Sequence, residues 1–95
     1  MKNVNELMLI YYDTFISDVN CHVQQYEDQK IDSYMFSILA DLSLEKYRGQ
    51  IDVLHELGHI SYEEWSHKFN VATDFVHDWC RKIRKMEYEP RDPED

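Results

Sequence analysis

Two glycines and two prolines in 95 residues leave this chain almost without backbone breakers. Both prolines, Pro90 and Pro93, fall in the last six residues, so nothing upstream of them forces a helix to stop. Such a chain favours long helices over many short elements. Cysteine is scarce as well. Cys21 and Cys80 stand in a chain with no visible secretory signal, which favours free, partly buried thiols. A disulfide is the alternative, because an up-down-up bundle would set both residues at similar heights on parallel helices. The longest apolar run, Leu7-Met8-Leu9-Ile10-Tyr11-Tyr12, is too short to span a bilayer. The first residues offer one lysine, then Asn and Glu, and no small-residue cleavage site. The expectation is a cytoplasmic protein with no membrane partner. There is no glycine-rich phosphate loop, no Ser-His-Asp or Cys-His arrangement, no internal repeat and no low-complexity tract. No catalytic residue and no cofactor are therefore expected.

What is present is helical periodicity. With 43% apolar residues and a mean hydropathy of −0.66, the chain has material for one domain with a modest core. Met8, Tyr12, Phe15, Val19, His22 and Tyr26 repeat at spacings of 4, 3, 4, 3, 4 and predict a first helix over about 5–28. Tyr11, Ile16 and Val23 widen its seam, Asn3 or Asn5 can cap it, and Gln29-Lys30-Ile31 forms the turn. Asp32 is the expected N-cap of a second helix. Its buried face is read as Met35, Ile38, Leu39, Leu42, Ile51, Leu54 and Leu57, with a break at Ser43 as an option and a weak point at Gly49. The third helix carries the clearest stripe: Trp65, Phe69, Ala72, Val76, Trp79, Ile83 and Met86, at 4, 3, 4, 3, 4, 3. The expected fold is all-α, an antiparallel three-helix bundle formed by a single domain over 1–88, with a short acidic disordered tail over 89–95.

The pentapeptide His55-Glu56-Leu57-Gly58-His59 admits two opposite readings. As H-E-x-x-H it is the zinc-peptidase signature: two histidines one turn apart on a helix ligate Zn²⁺, and the glutamate activates the bound water. That chemistry needs an unbroken helix and a third ligand, for which Glu63, Glu64, His67, Asp74 and Asp78 are candidates. Asp78, nineteen residues after His59, stands nearest the later acidic ligand of gluzincins, but it is Asp and not Glu. The metzincin continuation is missing, and no β-sheet precedes the segment. As punctuation, Gly58 ends one helix, Ile60 makes the contact that follows such an end, and Ser61-Tyr62-Glu63-Glu64 opens the next helix as a capping box. The second reading is preferred. A metal site at His55, His59 and Asp78 is the alternative, as is a noncatalytic cluster of His55, His59 and His67 with Glu63 and Glu64.

Charge is the other signal. The net charge is −9, and residues 1–79 hold all of it, with fourteen acids against five bases. Arg81, Lys82, Arg84 and Lys85 suit the C-terminal end of the third helix, so direct nucleic-acid binding is not expected. The acids include three like-charged i,i+4 pairs: Asp41/Glu45, Asp52/Glu56 and Asp74/Asp78. Each costs a few tenths of a kcal/mol on an isolated helix, relieved in part by Arg48, Arg81 and Lys82. Glu6, Asp13 and Glu27 add a row on the first helix. Rows of carboxylates can imitate a phosphate backbone and occupy a basic groove. Asp41, Glu45, Asp52 and Glu56, with Tyr47 and Tyr62 as anchors and Tyr34 beside them, are the candidate contacts to a protein partner with a basic surface. In size, acidity and lack of catalytic motifs the chain resembles the small acidic proteins with which bacteriophages block host restriction or CRISPR systems. That likeness is one of general character. It implies an inhibitor or nucleic-acid mimic. The broad aromatic stripes add the expectation of a homodimer.

Overall fold

The computed structural model describes residues 3–88. Three helices fill that span: α1 (Val4–Glu27), α2 (Ser33–Glu56) and α3 (Tyr62–Tyr88), with no strand among the described residues. They form the expected antiparallel three-helix bundle. The expected tail, residues 89–95, lies outside the described residues.

Each helix starts where a short polar side chain can take an orphan backbone N–H. Asn3 Oδ1 accepts from the Glu6 amide at 2.8 Å, Asp32 Oδ1 from Met35 at 2.7 Å and Ser61 Oγ from Glu64 at 3.0 Å. The two turns close in the same way. After α1, Gln29 adopts φ 62°, its amide bonds the Tyr26 carbonyl, and the Lys30 amide bonds that of Gln25. After α2, Gly58 adopts φ 79°, its amide bonds the His55 carbonyl, and the His59 amide bonds that of Leu54. Both are Schellman closures, with the left-handed residue immediately after the last helical turn. Glycine is the natural residue there, and only the second turn has it.

α2 is the middle element. It packs along both neighbours, while α1 and α3 approach each other closely at few points. The core runs from Met8, Phe15, Val19 and Val23 of α1, through Phe36, Ala40, Leu44, Tyr47, Ile51 and Leu54 of α2, to Ala72, Val76 and Ile83 of α3, with Ile60 turned inward after the second turn. The predicted seams of α1 and α3 hold, except that Met86 is exposed.

The predicted face of α2 is corrected. Met35, Ile38, Leu42 and Leu57 are exposed, and Phe36, Ala40, Leu44 and Tyr47 are buried instead. The helix carries apolar residues on two adjacent arcs, and contact with both neighbours selects one. Ser43 meets His22 of α1, whose Nε2 lies 3.3 Å from Ser43 Oγ, and the Ser37 hydroxyl faces Cys80 Sγ of α3 at 3.8 Å. The arc between those two serines must be the inner one, and the small Ala40 on it lets both neighbours come close. Ser43 starts no new helix, since α2 is continuous through it. Cys21 and Cys80 are both free thiols, Cys21 exposed and Cys80 half-buried.

Candidate partner-binding face

Four of the candidate acids, Asp41, Glu45, Asp52 and Glu56, stand 4, 11 and 15 residues along α2. At 100° per residue these offsets confine them to an arc of about 60°, and they extend over roughly 22 Å of helix. Asp41, Glu45 and Glu56 are exposed and Asp52 is half-buried. Tyr34, seven residues before Asp41, falls on the same arc and is 73% exposed.

Beside this row runs a ladder of rings on the seam between α2 and α3. Tyr62 stacks on Trp65 with centroids 5.8 Å apart, and Trp65 on Phe69 at 5.7 Å. His55 leans on Tyr62 at 6.2 Å, and the Arg48 guanidinium lies 5.6 Å above the Phe69 ring. Tyr62, at the open end of the ladder, is 66% exposed.

Row and ladder are joined by Asp52 and Arg48. Trp65 Nε1 donates to Asp52 Oδ1 at 2.6 Å, so this carboxylate holds α3 against α2 as well as facing outward. Arg48 lies 3.7 Å from Glu45 and 3.9 Å from Asp52, between the two like-charged pairs. Both ion pairs are partly solvated and contribute little stability. They relieve the repulsion expected within the row. Arg81 likewise pairs with Asp78, whereas Lys82 sits over the Trp79 ring at 4.8 Å.

Tyr47 leaves the candidate contacts. It is 1% exposed and stacks on Phe15 at 5.3 Å, with Tyr12 against its edge at 5.9 Å. It lies on the inner arc of α2 with Phe36 and Ala40, and burial pushes its hydroxyl up to about 12, with Tyr12 adding to the rise.

The zinc-peptidase geometry is not formed. Gly58 ends α2 between the two histidines, so His55 and His59 do not share a helical face. The His55 ring turns to the chain after the turn, with Nδ1 donating to the Ile60 carbonyl at 3.2 Å. A carbonyl only accepts, so Nδ1 carries the proton. Asp78 stands sixteen residues into α3 and faces Arg81. That position is about 24 Å along the helix from its start. Among the described residues no three His, Cys, Asp or Glu side chains are grouped to hold a metal ion, which also separates His59 and His67 from Glu63 and Glu64 as a ligand set.

The ladder was missed at the level of sequence, although a signal for it exists. Ser37–Cys80, Arg48–Phe69, Asp52–Trp65 and His55–Tyr62 are four pairs equidistant from the midpoint of Gly58-His59. Placing the turn at those two residues and folding the chain back on itself predicts all four. No helix of the described residues is long and apolar enough to cross a membrane. No family model, no curated protein and no solved structure matches the chain.

Proposed function

We propose that the chain is an acidic binding protein that inhibits or regulates a larger partner with a basic, nucleic-acid-binding surface. The observation that carries this reading is the row of Asp41, Glu45, Asp52 and Glu56 on one outward arc of α2. Fixed carboxylates on a rigid helix raise the encounter rate with a cationic groove and set the register of docking. The exposed Tyr62, backed by Trp65 and Phe69, supplies a rigid aromatic anchor at one end, and Tyr34 supplies another. The row then competes with nucleic acid for the partner, and the chain binds no nucleic acid itself. No catalytic step is assigned to it. An inhibitor of a restriction or CRISPR nuclease is the form of this reading to test first.

The test is affinity capture from bacterial lysate in rising salt, followed by titration of the captured partner with the triple variant Asp41→Lys, Glu45→Lys, Glu56→Lys. Asp52 is spared because it bonds Trp65. Binding should weaken as salt rises, and the variant should lose at least tenfold in affinity while keeping its melting temperature within a few degrees. Affinity that ignores both salt and the three reversals removes the electrostatic reading.

A second reading, self-association, is favoured by Met35, Ile38 and Leu42, which sit at spacings of 3 and 4 on the outer arc of α2 and are exposed. Light scattering at micromolar concentration decides it: a dimer that Leu42→Glu dissociates supports this reading, and a monomer ends it.

A further inference from the structure

α2 packs along both of its neighbours, whereas α1 and α3 approach each other closely at few points. They touch through Phe15 and Phe75, with ring centroids 6.0 Å apart, and through the Tyr26 hydroxyl and Glu87 at 3.4 Å. Ahead of Phe15 and Phe75, toward the N-terminal ends of both helices, the two part around a half-open groove of about 610 Å³. Leu9 of α1 and Val71 of α3 form its apolar walls, Met8 and Tyr12 line its α1 side, and the Tyr47 ring of α2 closes the bottom. The three helices thus take three corners of a four-helix square and leave vacant the corner opposite α2. Leu9 is 63% exposed and Val71 40%, so apolar side chains meet water where a fourth helix would cover them. The polar groups stand on the rims, Asn5 on α1 and Glu64, His67 and Lys68 on α3. At 100° per residue Asp13 and Glu6 follow Leu9 outward around α1 by roughly 40° and 60°, and Asp74 follows Val71 outward around α3 by roughly 60°. Glu6, Asp13, Glu64 and Asp74 are all exposed, four acids against Lys68 and His67.

We infer that this groove takes a basic amphipathic helix of a partner protein, its apolar stripe seated between Leu9 and Val71 and its lysines and arginines over the acidic rims. From Asn5 to Tyr12 the groove runs two turns, roughly 10 Å, which is the reach of anchors at i, i+4 and i+7 on a docked helix. The rims set the sign of the occupant's flanks. A second copy of the chain is disfavoured, because it would bring another net charge of −9 against these acids. The chain's own segment 89–95 holds four acids and one base and meets the same repulsion. The acidic row of α2 lies roughly 120–180° around that helix from Tyr47. Groove and row are therefore separate surfaces, and either assignment can fail without the other.

The experiment is a two-dimensional ¹⁵N–¹H titration of the full chain with a synthetic fourteen-residue peptide. It carries leucine at i, i+4, i+7 and i+11, lysine on both flanks of that stripe and alanine at the back. One control holds the same residues in scrambled order, and another replaces every lysine by glutamate. The first peptide should saturate with shifts centred on residues 5–13 and 64–74, at least tenfold tighter than either control, and should weaken as salt rises. Leu9→Lys and Asp13→Lys, both at exposed positions, should each lower its affinity about tenfold at an unchanged melting temperature. The triple variant of the α2 row should bind it as the wild type does. The inference is overturned if the peptide fails to saturate, if the scrambled peptide binds equally well, if the shifts gather on the acids of α2, or if Leu9→Lys leaves the affinity unchanged. A dimer in light scattering of the chain alone that Leu9→Lys dissociates would also overturn it, by giving the groove to a second copy.

Discussion

Tyr47 is the largest fully buried side chain among the described residues. Tyrosine is at home on surfaces, and Tyr47 falls outside the face that Met35, Ile38, Leu39 and Leu42 suggest for α2. The inner arc claims it instead, at 1% exposure and in contact with two aromatic rings of α1. Its raised hydroxyl, at about 12 against the usual 10, sets an alkaline limit on stability. In the unfolded chain the phenol loses its proton near pH 10, while the folded protein retains it up to about 12. Between these values the unfolded state binds fewer protons, so stability falls with rising pH. The contribution is whole below pH 10 and is lost by pH 12, a change on the order of 2 kcal/mol. Urea denaturation at pH 9 and 11.5 should show that loss in the wild type and a much smaller one in Tyr47→Phe. Equal losses in both would place the alkaline sensitivity elsewhere.

At the scale of the element, the ends of the helices were the most legible feature and the faces the least uniform. Asp32 and Ser61 cap where their residue types predict, and Gly58 takes the left-handed conformation that its position after Leu57 implies. α1 and α3 each carry one broad stripe, so periodicity alone finds their inner faces. α2 carries two, and periodicity cannot choose between arcs that are both apolar. The choice comes from two neighbours at once, through Ser43 toward α1 and Ser37 toward α3. The candidate acids were legible as a row because their offsets along one helix fix their mutual angle. The Trp65–Asp52 bond was not, because it depends on how α3 is rotated against α2. The two turns also differ in a testable way. Gln29 holds φ 62° with a side chain attached. That conformation costs a non-glycine residue roughly 1–2 kcal/mol, partly offset by the greater freedom glycine has when unfolded. Gln29→Gly should therefore stabilise the protein by about 0.5–1 kcal/mol, read as a higher urea midpoint at unchanged slope. A lower midpoint would mean that the Gln29 side chain makes a contact worth more than the strain.

Taken whole, the molecule is two hairpins that share α2. α1 and α3 each rest along it and meet each other at isolated points. Native-state hydrogen exchange should find the slowest amides in α2 around Ala40 to Ile51, because opening either outer helix leaves α2 packed on the other. Slowest exchange in α1 or α3 would contradict that division. The sharing has a kinetic consequence too. Each hairpin closes over a turn of only a few residues, so contacts between neighbouring helices can begin near a turn and extend outward. The chain therefore has two places from which to start folding, and a change that slows one turn leaves the other route open.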